Sequence, residues 1–296
     1  MKNFSRAGKS SLRLIIFASI AIAFSLWFVN LSASQSAQPF ANPAPNVINQ
    51  FRASAADPIQ PSDGSAKPLH TTDKTPIEPA WEMLGQIDQE RALADLRRLT
   101  GEEPICTSDG CYTITNRETG TVGLKWAKVY VTETLVDLGY SVEVMDWSRS
   151  GYADQNIIAR KPGVVYPDEE IYFIAHLDGY LFNNPAADDN ASGVVSLLEL
   201  ARVLSTRYFN YTVVIFFSTG EEHGCLGVHS FVDGYPERLG AIKYLVNVEM
   251  LGYDSNGDGK MELWNGDQPL DFTQLLAKII NANRNNLVPE IVSGCT

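Results

Sequence analysis

The stretch IYFIAHLDGYLFNNPAADDNASG, residues 171–193, decides how this chain is read. Ile171 to Ala175 is a short apolar run and predicts a buried strand. His176 and Asp178 follow where that strand should end. A loop then carries the adjacent carboxylates Asp188 and Asp189, followed by Asn190, Ala191, Ser192 and Gly193. A helical pattern starts there, with Val194, Val195, Leu197, Leu198, Leu200, Ala201 and Leu204 as apolar positions, and should end near Tyr208. A strand end, a polar loop and a helix start are where open α/β sheets place ligands. A His and a carboxylate at one strand end can hold a divalent metal. Asp178 can accept the other imidazole N–H of His176, which fixes tautomer and orientation. Taken alone, His176 reads more readily as an ordinary polar strand end, so its surroundings must decide.

Working outward, Trp81 to Leu99 predicts one amphipathic helix, stopped by Gly101. A second helix is expected from about Gly123 to Leu138, with Leu124, Ala127, Val131, Leu135 and Leu138 as its stripe. Ser141–Trp147 and Asn156–Arg160 read as strands, and Pro162–Asp168 as a turn. Thr212–Ser218 and Tyr244–Val248 are continuous apolar runs, expected as fully buried strands. Alternating strands and helices imply an α/β domain with a mostly parallel mixed sheet flanked by helices. Three buried strands would each deliver ligand-type residues to one edge. These are His176, then Glu221-Glu222 after Ser218, then Glu249 after Val248. A lone Glu-Glu pair is usually a solvated surface; three such strand ends plus Asp-Asp between them are harder to assign to chance.

Composition narrows the function. The chain has 296 residues, with 35 Asp and Glu against 23 Lys and Arg. No basic patch stands out to offset phosphate charge, which argues against nucleic acid as a partner. Lys2, Arg6, Lys9 and Arg13 precede an uncharged apolar run from Leu14 to Val29. Residues 1–33 therefore read as a signal peptide or an uncleaved membrane anchor, and both place the rest outside the cytoplasm, secreted or periplasmic. Residues 34–79 are rich in Ala, Pro and Ser and read as a linker or pro-segment. Residues 80–296 are expected to form the folded domain. Cys106 and Cys111 bracket a turn-like segment and can close a small disulfide loop in an oxidising compartment. Cys225 and Cys295 can pair or stay free.

The segments HLD, AADDNASG, STGEEHGCLGVHSF and LVNVEMLGYD, in that order, resemble the secreted co-catalytic zinc peptidases. Those are the bacterial leucine aminopeptidases and glutamate carboxypeptidase of peptidase family M28. The resemblance spans roughly Trp81 to the end. It implies two zinc ions and peptide substrates. It implies His176 and Glu249 on the first zinc, Asp188 bridging both, and Glu222 on the second. Asp189 would follow Asp188 through a cis peptide bond. Glu221 would be the general base and Asp178 the partner of His176.

The pattern then breaks. The family's last ligand is a downstream His, and none of the four His (His70, His176, His223, His229) follows position 229. The family's last strand and helix are also expected to be missing. His229 and His223 are the available substitutes for that ligand. Asp254, Asn256, Asp258 and Glu262 fit the start of a calcium loop, but Asn265 stands where its last ligand should be. The alternative is a polar turn built on Asx side chains. The leading expectation is a zinc exopeptidase, most readily an aminopeptidase. The alternatives are a single-zinc glutaminyl cyclase and a non-catalytic metal-binding module.

Overall fold

The computed structural model describes residues 82–180, 184–254, 257–265, 270–282 and 287–293. The basic-apolar start, the 34–79 linker, Asn256 and Cys295 lie outside the described residues. Among the described residues no helix is long and apolar enough to cross a membrane.

The first helix, α1, spans Gln89–Leu99. It starts later than expected, because Asp88 caps it by accepting from the Arg91 backbone N–H. Only a short helical turn at 82–84 precedes it. Strands β1 (Ile105–Thr107) and β2 (Gly110–Tyr112) form a hairpin with Cys106 opposite Cys111, and the two are joined by a disulfide. Helix α2 (Val122–Asp137) is capped by Thr121 and buries Leu124, Ala127, Val131 and Leu135. Strands β3 (Ser141–Arg149) and β4 (Tyr152–Lys161) pair antiparallel. β5 (Tyr166–His176) begins where a turn was expected; only Pro162–Val165 turns there. Helix α3 (Gly193–Ser205) follows, then β6 (Tyr211–Ser218), α4 (Leu226–Gly234), α5 (Pro236–Leu239) and β7 (Ile242–Asn247). A further unit, β8 (Lys260–Asn265), α6 (Leu270–Ala282) and β9 (Val288–Ser293), was not foreseen; β8 and β9 pair parallel in a separate sheet.

The main sheet runs β3-β4-β6-β5-β7. β5 lies parallel to both β6 and β7. Alternation along the central strands sorts side chains between two cores. Ile171, Phe173, Ala175, Val213, Ile215 and Phe217 pack with α1, α2 and α3. Tyr172, Ile174, Val214 and Phe216 pack with Leu226 and Phe231 of α4. Fully burying side chains of this size contributes about 1.5–3 kcal/mol each. Helix α3 is buried on nearly every side, which is why its sequence is apolar almost all round. β7 departs from the expected continuous burial. It ends the sheet, so Lys243, Leu245 and Asn247 are exposed while Tyr244 packs on Phe272 of α6.

The parallel registers position the site. His176 pairs with Ser218, and Ile174 with Asn247, so β5, β6 and β7 finish at one sheet edge. Close approach there needs Gly193. A Cβ on it would fall 2.5 Å from the Val248 carbonyl oxygen and 2.3 Å from Asn190 Oδ1. Gly193→Ala should therefore lower the unfolding free energy by about 1–3 kcal/mol, as overpacking does. Gly234→Ala, where an added Cβ meets nothing within 4 Å, should stay within about 0.5 kcal/mol of wild type. Urea unfolding of the two variants measures the contrast.

Candidate metal centre

His176 ends β5 and is buried, with its ring at the centre of the sheet edge. Its Nε2 lies 2.7 Å from Glu249 Oε1, 2.9 Å from Asp189 Oδ1 and 3.9 Å from Glu221 Oε2. Two triads have ligand atoms mutually within 4.8 Å: His176, Glu221 and Glu222, and His176, Asp189 and Glu249. Three strand ends thus meet at one point.

The buried Asp178 orients two of them. Its backbone oxygen lies 3.1 Å from His176 Nδ1 and its Oδ1 3.6 Å. The same carboxylate accepts the backbone N–H of Glu221 and of Glu222, each at 3.3 Å, and the Thr119 hydroxyl at 3.2 Å. With both amides tied down, the two adjacent Glu side chains project from a fixed turn. From β4, Asn156 holds that turn as well: its Oδ1 accepts from Thr219 N and its Nδ2 donates to Gly227 O.

The Asp pair is placed differently from the expectation. Asp188 does not join the cluster. Its carboxylate accepts from Gly252 N at 2.6 Å and lies 3.4 Å from the Ser192 hydroxyl. The residue facing His176 is Asp189, whose backbone (φ −105°, ψ 92°) leaves the helical path. The cis peptide bond is Asp189–Asn190, one residue later than expected. In sequence two neighbouring Asp residues are equivalent; only the backbone decides which faces inward. Asn190, not singled out from sequence, brackets Glu249. Its Nδ2 donates to Val248 O at 2.8 Å, and its Oδ1 accepts from Gly193 N at 3.0 Å and Met250 N at 3.4 Å. Arg117 was also missed, because a buried arginine has no sequence signature.

The remaining candidates lie elsewhere. His223 stacks on Tyr152, and His229 is exposed on α4. In the 254–259 loop, Asp254 accepts from Gly257 N and Gly259 N, and Asp258 from Lys260 N. Glu262 lies within β8 and accepts from Trp264 Nε1. Hydrogen bonds of this kind, from loop N–H groups to Asp side chains, are those of a turn built on Asx side chains.

Electrostatics show what the centre lacks. Burial disfavours a charged His176 ring, yet Asp178, Asp189 and Glu249 outweigh it and hold its pKa up at about 12. Glu222 is pushed up to about 7, first by burial and then by Asp189, Glu221 and Asp178. Burial and neighbouring carboxylates raise Glu221 too. Glu222 Oε1 is buried without a hydrogen-bond partner. A cluster of carboxylates that draws protons onto its own members, with one buried oxygen unsatisfied, fits a divalent cation.

Residues 156–293, just under half of the chain, match the family model for peptidase family M28. A probable zinc metalloprotease of Pyrenophora teres f. teres is 25% identical over 209 residues, covering 63% of this chain and 43% of the relative. The aminopeptidase YwaD of Bacillus subtilis is 35% identical over 100 residues, 33% of this chain and 22% of the relative. The LapA aminopeptidase of Legionella pneumophila shares the fold with a TM-score of 0.61 at 21% identity, over 84% of this chain and 64% of that one. The chain spans less than half the length of the curated zinc metalloproteases it matches.

The charge balance has a pH consequence. Glu222 titrates at about 7 in the folded chain, above its ordinary 4.5, so the folded state binds this proton more tightly. Its stabilising contribution is complete below the lower value and lost as pH rises through the higher one. Metal-free protein should therefore lose thermal stability between about pH 4.5 and 7. Glu222→Gln should flatten that slope; equal slopes in both proteins would show that Glu222 is not its source.

Proposed function

We propose that this chain is a zinc-dependent aminopeptidase with two ions at the β5–β6–β7 edge, acting on peptide substrates. The observation that carries this is His176 Nε2 lying within hydrogen-bonding distance of both Asp189 and Glu249, with Glu221 just behind. His176, Asp189 and Glu249 would hold one ion; Asp189 and Glu222 would hold the other. Bound zinc supplies a Lewis acid that polarises a carbonyl and acidifies water.

The chain's own groups do the rest. Asp178 fixes the His176 ring and aims the Glu pair. Glu221 is half-buried with a raised pKa, suited to accept a proton from the attacking water and return it to the departing amine nitrogen. The dense negative charge favours a substrate's terminal ammonium. Arg117, the cation beneath the site, is buried and bonded to backbone carbonyls, so it offers nothing to a substrate carboxylate. This supports amino- over carboxypeptidase action. The cyclase alternative has less support: it dispenses with the ion held by His176 and Glu249, the pair packed closest. The basic-apolar start and the Cys106–Cys111 disulfide support action outside the cytoplasm.

Glu221→Gln should lower turnover of an aminoacyl anilide by about 10²–10⁴-fold and leave zinc content unchanged; zinc lost together with activity would contradict the base assignment. Asp189→Asn should lose zinc, whereas Asp188→Asn should keep it. Metal analysis after dialysis separates the two neighbours, and the reverse result would restore Asp188 as the ligand.

A further inference from the structure

The structure assigns to Arg117 the role of positioning residue for the metal centre: its buried guanidinium ties the end of β5, which carries His176, to the loop that carries Asp189 before any ion is present. This rests on the metal centre proposed above.

Arg117 lies in the loop before α2 and is 1% exposed. Buried arginines usually sit against a carboxylate. This one instead donates to backbone carbonyls on three segments. Nε donates to Leu177 O at 3.0 Å. Nη2 donates to Ala186 O at 2.9 Å. Nη1 donates to Pro185 O at 3.0 Å and to Leu99 O at 2.5 Å, on the last turn of α1. Its own carbonyl accepts from Gly179 N at 3.1 Å. Leu177 stands between His176 and Asp178, and Ala186 lies three residues before Asp189. The planar fork therefore fixes the spacing between the end of β5 and the loop from which Asp189 projects. Lysine, a single point of donation, cannot span the same carbonyls.

Its charge acts in the same direction. The site gathers Asp178, Asp189, Glu221, Glu222 and Glu249 around one imidazole, and these repel one another. Burial lowers the Arg117 pKa to about 10, with Asp178 and Asp189 acting in the opposite direction, so it stays protonated at neutral pH. Without it, the two segments would lose the hydrogen bonds that join their backbones independently of a metal ion. An arginine that merely filled the core would affect stability and leave the metal affinity of the folded protein alone.

Two measurements decide. The first is amide hydrogen exchange on wild-type protein, chelator-treated and zinc-loaded, read at Gly179 and Ala191. The Gly179 amide donates to Arg117 O and the Ala191 amide to Ala186 O. Both should be protected already in the metal-free protein; rapid exchange that slows only when zinc is added would overturn the proposal. The second is the zinc dissociation constant of Arg117→Lys by chelator competition, with apo-protein folding checked separately. It should weaken by about 10–100-fold, the usual effect of altering a ligand's supporting shell. A folded variant with affinity within about twofold of wild type would equally overturn it. If Arg117→Lys does not fold, the wild-type exchange data decide alone. If wild-type protein binds no zinc, the metal centre itself fails, and metal-free exchange still judges Arg117.

Discussion

The site depends on one buried carboxylate, Asp178. It lies against the His176 ring, accepts both backbone N–H groups of the Glu221–Glu222 turn, and takes the Thr119 hydroxyl. Residues from the ends of two different strands are thereby referred to one pair of oxygens. Hydrogen bonds to a charged acceptor contribute about 1.5–3 kcal/mol each, and leaving one unmade in the interior costs more. The Asp178 bonds therefore leave little freedom to the His176 ring and the Glu221–Glu222 turn. The Glu pair can serve two purposes because its backbone is pinned at both amides.

The parallel sheet makes that arrangement available. β5, β6 and β7 end level with one another, so chemistry carried on three separate sequence segments arrives at one edge. The helices on both faces supply the burial that keeps those ends fixed. Asn156 from β4 and Asn190 from the loop before α3 then reach across and satisfy backbone groups beside Glu221 and Glu249. Neither asparagine carries charge; each bonds a backbone group just beyond the end of a strand.

The cost of the arrangement is electrostatic. Five carboxylates face one imidazole, the ring is driven towards its protonated form, and Glu222 is held near neutrality in its titration. Arg117 offsets part of this from below, where no solvent screens it. Such a site is poorly matched to its own charge and well matched to a divalent cation.

Much of this was legible in the sequence. The apolar runs at 171–175 and 212–218, and the residues that end them, mark buried strands and the site edge, because burial on both faces demands unbroken hydrophobicity. The stripe of α2 followed from helical periodicity alone. The start of α1 at Asp88 was less legible, since a cap depends on which backbone N–H the carboxylate reaches. The half-exposure of β7 and the whole β8-α6-β9 unit depended on what packs beside them. Most telling is the Asp188–Asp189 pair. Sequence determined that a carboxylate of this loop belongs at the centre; the backbone around Asp189 decided which one. Arg117 and Asn190 are invisible for the same reason. Their work is to satisfy carbonyls and amides of segments remote in sequence, and those groups are identical in every residue until the fold brings particular ones into reach.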